Sequence, residues 1–196
     1  MEQSDRQADV LRLYGTLILE HEDWGGTLIL SSGEGAASSG IAAAVSIAGG
    51  TTLALDDDAA AVKAAMRRGE LDFVVNTLDE ALRTLKNQIR QCRPLSVGLI
   101  ANVPSTLQEM AERGVLPDKH YTPTPESQLR SDEYQIQAAT PAELRNIDEQ
   151  LLSLIPANDT VRRRWIQRAP QYLREARSGS RWIWLSERER AQIKRE

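Results

Sequence analysis

Thr27-Leu28-Ile29-Leu30-Ser31-Ser32-Gly33-Glu34-Gly35-Ala36-Ala37-Ser38 is the stretch that decides how this chain folds. Its first five residues form a short apolar run, as expected of a strand covered on both faces. A glycine-rich turn follows at once. The alanine-rich residues 36–47, stopped by Gly49-Gly50, predict a helix. In a strand, glycine turn and helix in this order, the backbone can approach a phosphate held at the helix N-terminus. The turn reads Gly33-x-Gly35-x-x-Ser38, so a serine small enough to pack against the strand stands at the third glycine position. A second apolar run, Thr51-Thr52-Leu53-Ala54-Leu55, ends in Asp56-Asp57-Asp58. Asp56 lies 21 residues after Gly35. At that spacing a carboxylate can accept hydrogen bonds from adenosine ribose hydroxyls, and its charge favours NAD over NADP by repelling a 2′-phosphate. Each feature also has a plainer reading, a turn for Gly-x-Gly and a helix cap for the aspartates. Placed together after two strands, they point to dinucleotide binding.

The alternation continues outward. The acids at 56–58 suit the start of a helix over residues 59–68. Residues 71–75 form a short strand or extended link. Thr77-Leu78-Asp79-Glu80 is a capping box opening a helix to about residue 91. Residues 95–100 predict a further buried strand, 104–113 a helix closed by Gly114, and 117–121 a last short strand. Such alternation implies an α/β fold, a Rossmann-like parallel sheet with helices on both faces. Upstream, residues 5–22 start as a helix with Val10, Leu11, Leu13, Tyr14 and Leu17 on one side, while Thr16-Leu17-Ile18-Leu19 is open to a strand reading. Downstream, the polar segment with Pro123 and Pro125 predicts a linker. Thr140-Pro141-Ala142-Glu143 opens a helical C-terminal extension divided by Pro156 and Pro170 and anchored by Trp165, Trp182 and Trp184. The expected organisation is a lead-in over 1–24, the Rossmann-like domain over 25–122, a linker over 123–139 and a basic helical tail over 140–196.

Charge and composition narrow the function classes. The net charge of −4 divides into about +7 from residue 160 onward and about −11 before it. A basic tail beside an acidic body reads as a docking face more readily than as a nucleic-acid surface, and no groove-reading motif is present. With no apolar run long enough for a membrane span and no secretory leader pattern, the expectation is a cytoplasmic protein away from the membrane. The single cysteine, Cys92, excludes an internal disulfide. It reads as a half-buried helix-end residue, with no base assigned to activate it. No metal-ligand spacing and no catalytic constellation stand out.

Further blocks resemble the urocanase (urocanate hydratase) family. They are the Ser31–Ala42 turn sequence, Ala48-Gly49-Gly50, Leu71-Asp72, Leu78-Asp79-Glu80-Ala81-Leu82, Ser96-Val97-Gly98-Leu99-Ile100-Ala101-Asn102-Val103 and Glu112-Arg113-Gly114-Val115-Leu116-Pro117-Asp118. The resemblance covers residues 24–118, about half of the chain, without gaps. It implies a Rossmann-like core that holds NAD tightly, in a lyase of histidine metabolism whose nicotinamide acts as electrophile toward the substrate imidazole. The family's cofactor contacts carry over onto Gly35, Ala36, Ala37, Ser38, Asp56, Asn102 and Val103, and the reading of the glycine turn adds Gly33 as a candidate cofactor contact. No catalytic residue carries over, and Cys92 does not match the family's active-site cysteine. Departures are specific. Ala61 stands where the family has an arginine. Tyr121-Thr122-Pro123-Thr124-Pro125-Glu126-Ser127-Gln128-Leu129 replaces a T-D-Q-T-S-A-H-D-P signature. The family's large flanking regions are not matched.

Three functions follow. The first is a urocanase-type NAD-binding domain without complete catalytic machinery, a cofactor-holding or pseudoenzyme form. The second is a protein–protein interaction module on a Rossmann scaffold that has lost its cofactor. The third is a urocanate hydratase-like lyase completed by a partner chain. A homodimer or a partner protein is expected in each case, covering surface that the family's flanking regions would otherwise cover.

Overall fold

The computed structural model describes residues 5–122 and 132–193. The Rossmann-like expectation holds. Five strands, β1 (Leu28–Ser32), β2 (Thr51–Asp56), β3 (Phe73–Val75), β4 (Leu95–Ile100) and β5 (Lys119–Tyr121), form one parallel sheet in the order β3-β4-β2-β1-β5. Both central strands, β1 and β2, are buried along their whole length, which explains their unbroken apolar reading. Helices α2 (Ile41–Ala48) and α3 (Ala59–Arg68) pack on one face. There Ala37, Ala42, Ala54, Val62, Ala65 and Leu71 form a small-residue cluster. Helices α4 (Leu78–Arg90) and α5 (Val103–Glu112) pack on the other face, where leucines of β1, β2 and β4 meet Leu78, Leu85 and Met110.

Local chemistry fixes most helix ends. Asp58 accepts from the amides of Ala60 and Ala61 to start α3, and Gly69 ends it. Thr77 accepts from the amide of Glu80 at the head of α4, and Asn102 caps α5. Gly98 lets α3 and its following loop approach the sheet. A Cβ there would stand 2.7 Å from Val62 Cγ1 and 2.8 Å from Leu71 Cδ1.

Four expectations need correction. Residues 16–19 are not a strand; helix α1 runs unbroken over Arg6–Glu20 and buries Val10, Leu11, Tyr14 and Leu17 against α2. Cys92 is exposed rather than half-buried, because α4 ends before it and Cys92 takes a left-handed backbone with φ 51°. Pro170 does not divide the tail but lies in the last turn of α7 (Thr160–Tyr172), where little helix is left to break. The C-terminal extension is also not all helix. Beside α6 (Pro141–Leu154), a 3-10 turn (Glu175–Arg177) and α8 (Glu187–Ile193), it contains β7 (Ser180–Trp184). β7 pairs antiparallel with β6 (Glu133–Gln137), which falls in the stretch read as linker; residues 123–131 of that stretch lie outside the described residues.

The extension packs over α1 and α2 in a single apolar cluster with Trp165, Ile166, Ile183 and Trp184. Tyr14 lies against both Trp165 and Trp184, with ring centroids 5.6 and 6.2 Å away, and donates to the carbonyl of Val161 at 2.9 Å. Burial pushes the Tyr14 phenol far above its ordinary value. Several tail arginines bond backbone carbonyls at helix ends. Arg163 donates to the carbonyls of Leu152 and Ile155 at the end of α6, and Arg168 to that of Ile47 at the end of α2. Arg164 reaches Glu22 and Ala48, and Arg177 reaches Pro170 and Gln171. Helices α1, α2, α6 and α7 carry no basic residue in their own last turns. The tail arginines supply positive charge to carbonyl ends that need it.

Candidate functional site

The chain leaves β1 and β2 toward the β3 edge, with α2 and α3 on one face, and leaves β3 and β4 toward the β5 edge, with α4 and α5 on the other, so the adjacent strands β2 and β4 send their connections to opposite sides. In open parallel sheets the crevice beyond the strands' carboxyl ends at such a point is where ligands bind. The Gly33–Gly40 loop emerges from β1, the neighbour of β2 on the other side. Asp56 closes β2 next to it, with Ser32 opposite Leu55 in register, and Asn102 follows β4, whose Ile100 is opposite Asp56. All the residues expected to contact a cofactor therefore come together at one edge of the sheet.

The loop's internal geometry differs from expectation. The helix does not open at Ala36 but five residues later, at Ile41. The amides of Ala36 and Ser38 close tight turns onto the carbonyls of Gly33 and Gly35 at 3.0 and 3.1 Å. The hydroxyls of Ser31 and Ser39 both bind the Ala36 carbonyl, at 3.4 and 2.9 Å. Gly35 and Gly40 have φ of 77° and 87°, outside any right-handed helix, so the alanines between them are held in turns whatever their propensity. A Cβ on Gly40 would also stand 2.8 Å from Val10 Cγ2.

Asp56 is 1 % exposed, and its carboxylate is bonded to the protein at both oxygens. Oδ2 accepts from the Ala37 amide at 3.2 Å and Oδ1 from the Asp58 amide at 3.0 Å. Among the described residues, the amides of Glu34, Gly35, Ser39 and Gly40 make no hydrogen bond to the protein. Glu34 is exposed, so its side chain does not fill the turn. Asn102 is exposed, and its side-chain oxygen accepts from the Ser105 amide at 3.0 Å; Val103 is the first residue of α5. Ala61 lies in the first turn of α3 and gives its amide to Asp58, so no guanidinium projects from that position. Of the altered signature segment, Pro123 to Leu129 lie outside the described residues.

One pair at this edge was not legible in the sequence. His120 on β5 sits 2.7 Å from the Ser32 hydroxyl through Nε2, bridging β5 to β1. Ser32 is 4 % exposed and His120 exposed. The two lie 88 positions apart, and only the parallel pairing of β1 with β5 brings them together. Among the described residues no group of histidine, cysteine, aspartate and glutamate could hold a metal ion.

The model of the urocanase Rossmann-like domain matches residues 10–139, about two thirds of the chain. The chain belongs to the urocanase family. The match is wider than residues 24–118. It includes most of α1 and reaches past β6, so the helix on α2 and the first strand of the antiparallel pair lie within the family's domain. The urocanase-type blocks at Leu71-Asp72 and Arg113–Asp118 have structural work here. Asp72 accepts from the amide and hydroxyl of Ser96 at 2.8 and 2.9 Å, and Asp118 accepts from the Leu28 amide at 2.8 Å. Among the described residues, no helix of this urocanase-family chain is long and apolar enough to cross a membrane.

Proposed function

We propose that this urocanase-family domain binds NAD at the carboxyl edge of its sheet and does not complete a hydration reaction by itself. The observation that carries the reading is the convergence of the Gly33–Gly40 loop, Asp56 and Asn102 beside the β2/β4 divergence, with Glu34 turned out to solvent. The amides of Glu34 and Gly35 are donors free to take a diphosphate oxygen, and Gly35 lets the backbone come close. Asp56 is the residue that would hold the ribose. A carboxylate has about four acceptor sites; the Ala37 and Asp58 amides use two of them, and the remaining ones would accept ribose hydroxyls. When bound, NAD supplies an electrophilic ring in this family. The residues of this chain bind and orient it; Ala61 leaves out the arginine of the family pattern, and the T-D-Q-T-S-A-H-D-P polarity is replaced. This supports cofactor holding over turnover, with a second copy or a partner protein covering the rest.

Thermal melting tests the reading. NAD at millimolar concentration raises the melting temperature of the native chain, and the rise is lost in Asp56→Ala and in Gly35→Val. A chain indifferent to NAD removes it.

The closed state of Asp56 favours a second reading, a Rossmann scaffold without cofactor that works as an interaction module through its C-terminal elements. An unresponsive chain that still captures a partner would establish that reading. The third, a hydratase-like lyase completed by another chain, is tested by following urocanate absorbance with NAD present; an unchanged spectrum on mixing with candidate partner chains eliminates it.

A further inference from the structure

The C-terminal elements contain a second recess, of about 300 Å³, built without any residue of the parallel sheet. Arg145 and Asp148 of α6, Arg177 of the 3-10 turn and Arg181 of β7 line it, with Leu144 and Pro170 among its apolar walls. Its charged lining is therefore three guanidinium groups against one carboxylate.

Arg181 is the centre of the arrangement. The residue is 0 % exposed. Its Nε and Nη2 bind the two oxygens of Asp148, each at 2.7 Å, in a parallel fork. Its Nη1 is buried and has no hydrogen-bond partner among the described residues. Arg177 is pinned from the other side, with Nε on the Pro170 carbonyl at 2.8 Å and Nη2 on that of Gln171 at 3.3 Å. Arg145 stands on α6 one turn before Asp148 and is exposed. A buried guanidinium donor without an acceptor calls for an explanation. Arg181, which carries this donor, lines a recess that Arg145 and Arg177 also line.

We propose that this recess is a binding site for a phosphoryl group, carried by free phosphate or by a small phosphorylated molecule. Two positive charges remain after Asp148 neutralises one guanidinium, and a phosphoryl group carries about −1.5 to −2 at neutral pH. Guanidinium forks match the oxygens of such a group. Arg181 Nη1 is the inner donor, Arg145 and Arg177 are the rim, and the proline and leucine walls hold water away from the contact. The site is independent of the NAD reading and lies on other elements.

Calorimetric titration of the full chain with inorganic phosphate, against sodium chloride at matched ionic strength, tests it. Phosphate binds the native chain, and the Arg145→Gln, Arg177→Gln double variant weakens it by roughly tenfold or more, about 1.4 kcal/mol. Arg145→Gln alone, an exposed change that leaves the packing intact, weakens it in the same direction. Gly35→Val in the glycine loop leaves phosphate binding unchanged. Glycerol phosphate identifies the source: tighter binding than phosphate supports a phosphorylated molecule, and equal binding supports free phosphate. The proposal is overturned if phosphate gives no more heat than chloride, if Gly35→Val abolishes binding while the arginine variants keep it, or if succinate binds more tightly than phosphate.

Discussion

Asp56 puts a carboxylate where water scarcely reaches and gives its oxygens to the amides of Ala37 and Asp58. The sequence shows this residue's position, because an acid at the end of the second strand has a characteristic spacing. It does not show the carboxylate's partners, because whether it meets a ribose or its own loop depends on where the loop folds back. Asp56→Ala leaves both amides without an acceptor, the Ala37 amide in buried surroundings. The expected cost is about 1–3 kcal/mol, read as a lowered urea midpoint with an unchanged slope. Asp56→Asn keeps one acceptor oxygen and is expected to cost less than Asp56→Ala; equal losses would show that the carboxylate does not hold the loop. Similar reasoning explains why Ser32 and His120 escaped notice: a hydroxyl and an imidazole 88 positions apart carry no local pattern.

Elements whose ends are set by their own neighbours were readable, and those set by distant contacts were not. Helix α3 covers Ala59–Arg68 as its sequence predicts, because Asp58 and Gly69 cap it locally. Helix α2 starts late because Ser31, Ser39 and Asp56 hold the preceding alanines in turns, against their propensity. Strands β6 and β7 pair across more than forty residues, and the alternation of β6, Glu133-Tyr134-Gln135-Ile136-Gln137, is only five residues long with two apolar side chains beside a polar, proline-bearing segment. Two predictions belong to this scale. In Gly98→Ala the added methyl group must displace Val62 and Leu71, so α3 is pushed off the sheet at a cost of about 1–3 kcal/mol; thermal unfolding at native stability would show that the layer yields freely. Helix α8 is tied by Glu189 to Arg162 at 2.9 Å and to Ser186. Burial alone would raise the Glu189 carboxyl, but the hydrogen bonds from Ser186 and the Arg162 guanidinium outweigh it and hold the group below its ordinary value of 4.5. A depressed carboxyl stabilises the fold fully above that ordinary value and loses its contribution as pH falls through the folded value. Stability is therefore expected to fall below about pH 4.5 by a step that Glu189→Gln removes. Identical acid profiles for both proteins would refute this.

On the scale of the whole molecule, the C-terminal extension and the Rossmann-like layer share one apolar cluster through α1 and α2. Trp165 lies at its centre, 0 % exposed, and gives its indole N–H to the Trp182 carbonyl at 2.7 Å. The three tryptophans marked the extension as packed in the sequence, but not what it packs on, since the arginines that fasten it seek backbone carbonyls rather than acidic side chains. Trp165→Ala is expected to cost about 3–5 kcal/mol and to lower the stability of sheet and extension together in one transition. A variant whose extension melts first while the sheet keeps native stability would show two separate units. Leu19 and Leu116, each 82 % exposed, are apolar surface consistent with the expected second copy or partner. Light scattering is expected to find more than a monomer when the chain stands alone, and a clean monomer would count against self-association.

The most direct measurement of the central claim is an amide-resolved NMR titration of the full chain with NAD. The amides of Glu34 and Gly35 are expected to shift as they take the diphosphate, and those of Ala37 and Asp58 as ribose hydroxyls join them on the Asp56 carboxylate. Resonances at these four positions that stay fixed at millimolar NAD would contradict the account.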